Sequence, residues 1–261
     1  MHSEQYLQSF DGLTRIFGSD ALGYLNKASF CIIGIGGVGS WCAEAAARSG
    51  IGHITLIDHD NIELSNINRQ CHTTIENCGQ SKVDAMQQRI LLINSECDVT
   101  VIDDLVTHAN LDKFELEQFD YVIDAIDHVT YKTALIHFCR RNKIPLITTG
   151  GAGGLTDPSK IGFSDLTKTT NDPLLAKVRS NLRYQYHYSR NPKRSYGIDC
   201  VYSTQQSLYP TSEGKISYEK PTMDSAKTLD CATGLGSFVA VTASFGFAAI
   251  ARAITKYLAK Q

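Results

Sequence analysis

The sequence predicts a Rossmann-like α/β fold, doubly wound, with a mostly parallel sheet, helices on both faces and a C-terminal extension. Two observations predict it. Short apolar runs alternate with helical segments through the first 150 residues, and a glycine-rich turn joins the first apolar run to the first of these helices. Alternation at this spacing implies right-handed β-α-β crossovers, which produce parallel strands.

The first strand is predicted over residues 30–35, a continuous apolar run that ends at glycine, as a strand buried on both faces does. The alanine-rich segment 38–49 is predicted as a helix that Gly50 closes. A second apolar run over residues 54–57 ends in Asp58 and predicts the second strand. Because parallel strands end at the same edge of a sheet, Asp58 is expected beside the glycine turn.

Five further elements continue this alternation: helices over residues 81–92 and 128–142, and strands over residues 99–102, 121–123 and 145–149. The last strand leads into a glycine-rich loop over residues 150–154. After this loop the pattern loosens. Residues 161–166, preceded by an Asp157-Pro158 turn, predict one more strand at an edge of the sheet, and the polar residues 203–227 are expected to be mobile.

Composition limits the classes of function. A chain of 261 residues with 43% hydrophobic content can bury one large core, so a single domain is expected. A formal charge of −2 argues against a surface coated for nucleic acid, although it leaves local patches open. Eight cysteines without a C-x-x-C pair argue against a disulfide scaffold or a zinc ribbon and favour free thiols in a reducing cytoplasm.

An uncharged apolar stretch covers residues 235–250. It is 16 residues long, whereas a membrane-spanning helix needs about 20. Two glycines interrupt it, and Arg252 follows closely. We therefore predict a buried C-terminal helix in a cytoplasmic protein, with membrane association through this stretch as the alternative. The amino-terminal residues lack the pattern of a secretory signal.

A nucleotide site is predicted at the glycine turn. Gly34, Gly36 and Gly39 form a G-x-G-x-x-G pattern between the first strand and its helix. The first glycine permits the tight turn, the second lets a phosphate approach the backbone, and the third packs the helix on the strand. Asp58 lies 19 residues after Gly39, where a carboxylate accepts hydrogen bonds from ribose hydroxyls. Alone, these features favour a dinucleotide-dependent oxidoreductase.

The residues that follow favour a triphosphate. Arg69 offers a planar fork of donors and Lys82 a point charge, and the outer phosphates of a triphosphate need such neutralisation. Asp127, after the fourth strand, is predicted to hold magnesium. Asp124 either orients the metal site or faces solvent.

A basic and aromatic segment covers residues 177–194. Its six cations occur without an acidic residue among them: Lys177, Arg179, Arg183, Arg190, Lys193 and Arg194. Four aromatic rings are interleaved: Tyr184, Tyr186, His187 and Tyr188. Neutralisation of phosphates combined with stacking of unpaired bases is how single-stranded RNA loops are commonly held. We predict RNA contact here, with a solvated basic surface as the alternative.

Two cysteines are the best candidates for a thiol nucleophile, because Cys200 and Cys231 lie in or near the region predicted to be mobile. Cys31 and Cys139 fall in predicted strand and helix positions and are expected to pack as small hydrophobic residues. Nothing near Cys231 in sequence lowers a thiol pKa, so structural roles are favoured.

Together these residues resemble the ThiF/MoeB branch of the ubiquitin-activating-enzyme superfamily, which adenylates carboxylates. The matching segments are R-x-F-G at Arg15 and residues 34–40, 54–60, 64–70, 79–84 and 122–128. The resemblance implies ATP and Mg²⁺ as cofactors and a homodimer in which Arg15 reaches the phosphates of the other subunit, while the absence of C-x-x-C pairs predicts that zinc is not bound. It implies catalytic roles for Arg15, Arg69, Lys82 and Asp127. It implies nucleotide contacts by Gly34, Gly36, Gly37, Gly39, Asp58, Asp60, Asn66, Arg69, Gln70 and Lys82.

Further segments resemble one group within this branch, the tRNA threonylcarbamoyladenosine dehydratases (TcdA/CsdL): residues 48–58, 139–154, 161–169, 197–203 and 229–237. This resemblance implies ATP-dependent dehydration of threonylcarbamoyladenosine in tRNA through an acyl-adenylate. One adenylating domain would then cover residues 1–261. Residues 1–154 would form its nucleotide-binding core, and residues 155–261 an extension for substrate, dimer and tRNA contacts.

Two alternatives stay open. The first is adenylation of the C-terminus of a small ubiquitin-like sulfur-carrier protein, with a cysteine desulfurase or sulfur acceptor as partner. Activators of that kind usually carry two C-x-x-C pairs for zinc, which this chain lacks, and His128 stands where the family often has asparagine. The second is an NAD-binding redox enzyme or sensor. Whether a monovalent cation orders the region of Cys231 is also left open.

Overall fold

Seven strands form one sheet in the structure, a computed structural model that describes residues 3–211, 213–220 and 235–261. In chain order they are β1 (Ser29–Ile33), β2 (His53–Asp58), β3 (Asp98–Asp103), β4 (Tyr121–Asp124), β5 (Leu146–Thr149), β6 (Ile161–Asp165) and β7 (Asp199–Ser203). Their order across the sheet is β3-β2-β1-β4-β5-β7-β6. Neighbouring strands are parallel except β6 and β7. The predicted fold class is confirmed.

The strand order reverses at β1. The chain runs outwards from β1 to β2 and β3, and then returns to place β4 on the other side of β1. Ile33 at the end of β1 thus lies between Ile57 of β2 and Asp124 of β4. A crevice forms at the carboxyl ends of the strands where the order reverses, and ligands of open α/β sheets bind there. The glycine turn leaves β1 at this crevice.

Helices cover both faces of the sheet. In chain order they are α1 (Glu4–Phe10), α2 (Thr14–Phe17), α3 (Ala21–Lys27), α4 (Gly39–Arg48), α5 (Lys82–Ile93), α6 (Val129–Arg141), α7 (Pro173–Gln185) and α8 (Val239–Leu258). On one face, Ala43 of α4, Met86 of α5 and Phe245 of α8 share a core. On the other face, Leu135 of α6 and Val178 of α7 pack in two further clusters.

The C-terminal helix α8 is long and apolar enough to cross a membrane, but half of its most apolar window is buried inside the protein. It packs closely on α4. A methyl group added at Gly246 would lie 2.7 Å from Cβ of Trp41 and 2.8 Å from the carbonyl oxygen of Val38. The prediction of a buried C-terminal helix is confirmed, with the helix beginning four residues later than the apolar stretch.

Apart from α8, the helices and strands predicted by position have bounds within two residues of the observed ones, and β6 lies at the sheet edge as predicted. The sequence did not predict α1, α2, α3, α7 or β7. Part of the region expected to be mobile forms a small antiparallel hairpin of β8 (Tyr209–Pro210) and β9 (Ile216–Ser217). Its remainder beyond residue 220 lies outside the described residues.

Candidate nucleotide site

Four consecutive backbone N–H groups at the glycine turn donate to no acceptor in the described part of the chain: those of Gly36, Gly37, Val38 and Gly39. The two N–H groups before them are used, since that of Gly34 donates to the carbonyl of Ile57 at 2.9 Å. That of Ile35 donates to Asp58. Because α4 begins at Gly39, the positive end of its dipole faces the same space. Free donors at a helix start form a site for phosphate.

Two of the glycines explain the shape of this turn. A Cβ at Gly39 would lie 1.7 Å from the carbonyl oxygen of Gly34, so only glycine lets α4 start against the strand. A Cβ at Gly36 would meet no atom within 4 Å. A side chain at residue 39 is therefore excluded by the backbone of Gly34, whereas residue 36 faces open space in which a phosphate fits.

Asp58 ends β2 beside the turn, as predicted, and its carboxylate is fixed by the backbone. One oxygen accepts the N–H of Ile35 at 2.5 Å, and the other accepts the N–H of Asp60 at 2.9 Å. A carboxylate offers about four lone-pair directions, so each oxygen keeps one for a further donor. This arrangement suits a pair of ribose hydroxyls.

Lys82 begins α5 and forms an ion pair with Asp60, with 2.6 Å between the ammonium nitrogen and the carboxylate. The Lys82 side chain is only 8% exposed, whereas that of Asp60 is 52% exposed. Its backbone N–H also donates to the carbonyl of Asp60 at 3.0 Å. An ammonium has three donors, so this pairing fixes Lys82 while leaving donors for a phosphate.

Arg69 lies against the glycine turn. A Cβ at Gly37 would approach carbons of the Arg69 side chain at 3.2 Å, so the arginine stem lies along Gly37. Trp41, which the sequence analysis did not single out, donates its indole N–H to the carbonyl of Arg69 at 2.9 Å. The guanidinium donates to the carbonyl of Ser65 at 2.9 Å. The sequence could have indicated a role for Trp41, because the single tryptophan of the chain lies two residues after the glycine turn.

Asn66 and Gln70 are buried in the same segment. The side-chain oxygen of Asn66 accepts the N–H of Glu63 at 3.1 Å, so Asn66 holds the local turn. The side-chain oxygen of Gln70 and both ring nitrogens of His72 have no partner among the described residues. Burial, with added repulsion from Lys82 and Arg89, lowers the pKa of His72 to about 4.

Asp127 and Asp124 have different environments, although only three residues separate them. Asp127 is exposed at the carboxyl end of β4, and its carboxylate has no partner in the described residues. Asp124 is fully buried, 2.9 Å from the equally buried ammonium of Lys132, and accepts the hydroxyl of Thr148 at 2.7 Å. The expectation that Asp124 orients a metal or faces solvent is therefore wrong. The sequence feature that indicates a buried Asp124 is Lys132, a charged residue within the apolar helix segment after β4.

The structure does not bring Arg15 to the glycine turn within this chain by any contact among the described residues. Arg15 lies on the short helix α2, where its guanidinium pairs with Asp11 at 3.0 Å. Both side chains are mostly exposed, at 79% and 57%. An exposed arginine held by a weak surface pair is free to leave it for a stronger anion.

The basic segment at residues 177–194 divides into two parts. Arg179 donates to the carbonyl of Leu166 at 3.2 Å, and Arg183 donates to the hydroxyl of Tyr196 at 2.9 Å, so both have partners inside the chain. The other predicted RNA contacts are exposed: Arg190, Lys193 and Arg194.

Its aromatic rings divide in the same way. Tyr184 is 77% exposed, with the guanidinium of Arg190 over its ring at 5.8 Å. Tyr186 stacks on His137 at 3.9 Å between ring centres, and Tyr188 packs edge-on against Tyr196 at 4.9 Å. The interleaved tyrosines therefore do not all present their rings for base stacking, because two of them fill a hydrophobic cluster behind α7.

Of the cysteines discussed from the sequence, those predicted to pack in the core do so, whereas one of the two candidate nucleophiles is also buried. Cys31 and Cys139 are fully buried, and burial raises the pKa of both thiols, which confirms their role as packing residues. Cys200 is wrong as a candidate nucleophile in a mobile region. It lies in β7, between β5 and the edge strand β6, where it is fully buried, and burial raises the pKa of its thiol. Cys231 lies outside the described residues.

Comparison with known proteins places these features in context. The family model described as the ThiF family matches residues 11–261. The chain is 49% identical over 258 residues to the tRNA threonylcarbamoyladenosine dehydratase of Escherichia coli (strain K12), covering 99% of this chain and 96% of that protein. It is 49% identical over 259 residues to the protein of the same name from Haemophilus influenzae, with the same coverage. The crystal structure of the E. coli enzyme TcdA in complex with ATP superposes with a TM-score of 0.88 at 45% identity, covering 100% of this chain and 98% of that one.

Proposed function

Because this chain belongs to the ThiF family, we propose that it catalyses the ATP-dependent dehydration of threonylcarbamoyladenosine in tRNA through an acyl-adenylate. One observation carries this proposal: the chain is 49% identical, over nearly its whole length, to relatives named for that activity. The free N–H groups at the glycine turn supply the phosphate-binding surface that such an activity requires.

The residues around the crevice divide the work of holding ATP. The N–H groups of residues 36–39 donate to phosphate oxygens, and Asp58 accepts from the ribose hydroxyls. Arg69, beside Gly37, and Lys82, beside Asp60, neutralise the outer phosphates. Lys82 is held in position by Asp60, so its charge is placed before the nucleotide arrives.

Asp127 fits a magnesium ion, because its carboxylate is exposed at the same edge of the sheet and has no protein partner in the described residues. When bound, the ion would neutralise charge on the outer phosphates. Asp124 cannot share this task, since Lys132 and Thr148 occupy its oxygens in the core.

The reaction has two steps. The threonyl carboxylate attacks the α-phosphorus, forming a carbon–oxygen–phosphorus link while the bond to the β-phosphate breaks and pyrophosphate leaves. An atom of the same side chain then attacks the activated carbonyl and loses its proton, and AMP leaves with one former carboxylate oxygen. The net change in the tRNA is loss of one water. The attack is intramolecular and has a high effective concentration, so an enzyme thiol is not required.

Several predictions from the sequence remain proposals. We keep a single adenylating domain, with residues 1–154 as nucleotide-binding core and residues 155–261 as the extension, although β7 of the extension lies in the same sheet as the core strands. We propose a cytoplasmic location and a homodimer. The sulfur-transfer partner and the monovalent cation also remain predictions.

In the homodimer, Arg15 would act on the phosphates of the other subunit, and its exposed position on α2 leaves it available. Arg15→Ala and Lys82→Ala homodimers should both be inactive. Mixing them should restore about a quarter of wild-type activity, since half of the dimers would be mixed and each would keep one complete site. Absence of rescue would count against action in trans.

Mass analysis of anticodon nucleosides tests the function. Purified protein with ATP and tRNA carrying threonylcarbamoyladenosine should reduce the mass of that nucleoside by one water, with one pyrophosphate released per nucleoside converted. Lys82→Ala is the inactive control. Unchanged tRNA mass in the presence of ATP would refute the dehydratase. Pyrophosphate release stimulated instead by a small sulfur-carrier protein would favour the alternative substrate.

A further inference from the structure

A cavity of about 330 Å³ lies beyond the nucleotide crevice, between the start of α7 and the β8–β9 hairpin. We propose that this cavity binds the modified adenosine itself, flipped out of the anticodon loop, and aims its threonyl arm at the α-phosphate. The proposal rests on the proposed function and adds the place where the reacting nucleoside is held. Its lining includes Asp172, Arg179, Ser207, Tyr209, Tyr218 and Lys220.

The cavity lies at the functional edge of the sheet. Parallel strands β5 and β7 both end at the edge where β1 and β4 end, and the cavity residues Gln206 and Ser207 follow β7. The N–H of Gly151, in the loop after β5, donates to the Asp172 carboxylate at 3.0 Å. A second cavity of about 410 Å³ is lined by Ser29, His53 and Asp98, where β1, β2 and β3 begin. That cavity is at the wrong edge, because ligands of open α/β sheets bind at the carboxyl ends.

The distance from this cavity to the nucleotide crevice sets how far the substrate must reach. From β4, which precedes Asp127, to β7 there are two strand spacings of about 4.8 Å, or roughly 10 Å. The threonylcarbamoyl arm extends about 5 Å from the adenine nitrogen to its carboxylate, from ordinary bond lengths. The arm therefore covers about half of this distance, and the purine ring at the mouth of the cavity must cover the remainder for the carboxylate to reach the loop of Asp127.

The lining suits an unpaired nucleoside. Tyr218 is 58% exposed and Tyr209 is partly exposed, so both offer ring faces on which a base can stack. The deep wall is polar and fixed, since Asp172 and Ser207 are each 7% exposed. The carboxylate of Asp172 accepts the N–H of Leu175 at 2.9 Å. Lys220 is exposed, which gives a cation for a flanking phosphate.

The volume of the cavity is compatible with the proposed ligand. Its volume is at the lower end of the range of about 300–1,000 Å³ typical of small-molecule sites, which fits one nucleoside. The segment that forms the cavity is anchored to the loop that follows β5. The N–H of Leu208 donates to the carbonyl of Gly154 at 2.8 Å, and the side chain of Gln206 donates to the carbonyl of Tyr218 at 3.2 Å. This last bond uses the backbone of Tyr218, so its ring can be replaced without losing it.

The test compares Tyr218→Ala with Tyr218→Phe. Loss of one stacking ring should raise the KM for modified tRNA by roughly 5- to 100-fold in the alanine variant, while phenylalanine keeps a value near wild type. The KM for ATP should not change in either variant. Free threonylcarbamoyladenosine should compete with tRNA in the wild type, with an inhibition constant raised by a similar factor in Tyr218→Ala.

Failure of this inference differs from failure of the proposed function. If the wild type does not dehydrate modified tRNA, the function itself is wrong. If the wild type is active but Tyr218→Ala leaves both the tRNA KM and the nucleoside inhibition unchanged, the nucleoside is held elsewhere. Equal weakening in the alanine and phenylalanine variants would also overturn the stacking role. Thermal denaturation of both variants checks that the fold is intact, as expected for an exposed side chain.

Discussion

The glycine turn after β1 and the basic segment at residues 177–194 were both predicted to bind phosphates, but they offer different groups. The turn presents four backbone N–H groups, fixed in place and without partners in the described residues. The segment offers side-chain charges, two of which already have partners inside the chain. A turn imposed by glycine sterics fixes its donors wherever it occurs, whereas a side-chain charge is available only if packing leaves it exposed.

The sharpest way to break this comparison uses two glycines of the turn. Gly39→Ala should unfold or strongly destabilise the protein, because its Cβ would lie 1.7 Å from a backbone oxygen. Gly36→Ala should keep the fold, because its Cβ meets no protein atom within 4 Å, but it should greatly weaken ATP binding by filling the space beside the free donors. Thermal denaturation and ATP calorimetry measure the two effects. Unchanged ATP affinity in a folded Gly36→Ala variant would mean that phosphate binds elsewhere.

The second prediction concerns a charge that has no access to solvent. Lys132→Met should destabilise the protein by about 3–5 kcal/mol, because Asp124 would be left buried without its ion partner. Lys215→Met is the matched control, since its pair with Glu213 is exposed on both sides and should leave the midpoint of urea unfolding unchanged. Similar midpoints for the two variants would show that Asp124 is neutral or reached by water.

The third prediction concerns pH. The pKa of His72 is lowered from 6.5 to about 4 by burial, so the unfolded chain binds the proton more tightly than the folded one. Above pH 6.5 His72 is neutral in both states and does not oppose folding. As the pH drops from 6.5 towards 4, the unfolded chain takes up the proton first, and the free energy of unfolding decreases. The loss amounts to about 3 kcal/mol. In urea unfolding, His72→Gln should flatten this part of the stability profile, with exposed His108→Gln as control. Parallel profiles for wild type and His72→Gln would contradict the prediction.

The smallest effect is expected in the basic segment. Replacing the exposed Arg190, Lys193 and Arg194 by alanine should weaken tRNA binding and reduce the dependence of log K on log salt by about 2, at about 0.7 per phosphate contact. Arg183→Ala should instead lower stability with little change in salt dependence, because its guanidinium binds Tyr196. A triple variant with the wild-type salt dependence would place the RNA on another surface.

Much of the fold could be predicted from the sequence, because its determinants are local. Residues 30–35 had to be a buried strand, and the G-x-G-x-x-G spacing fixed both the turn and the start of α4 within two residues. Arg69 lies beside Gly37, and Lys82 pairs with Asp60 just after the carboxyl end of β2. Both positions near the glycine turn could be predicted, because parallel strands end at the same edge of the sheet.

The remainder depends on contacts between distant segments. Strand β7 carries Cys200 and pairs with β5 across about fifty residues of chain, and no local pattern distinguishes it from the loop around it. Asp124 resembles Asp58 in sequence, as an acidic residue that ends a buried strand. Only the position of Lys132 on the following helix shows that one carboxylate is buried in the core while the other stays at the surface.

Gly246 of α8 packs closely against Val38 and Trp41, so the glycine turn is supported by a helix that lies far away in the sequence. This has a consequence for the order in which the two are synthesised. Residues 34–39 leave the ribosome early, but the helix that packs against them, α8, begins about 200 residues later in the chain. A nascent chain therefore has its phosphate loop long before it has the support behind it. Competence to use ATP should appear only after α8 has been synthesised, so nascent chains that stop before it should not consume the nucleotide.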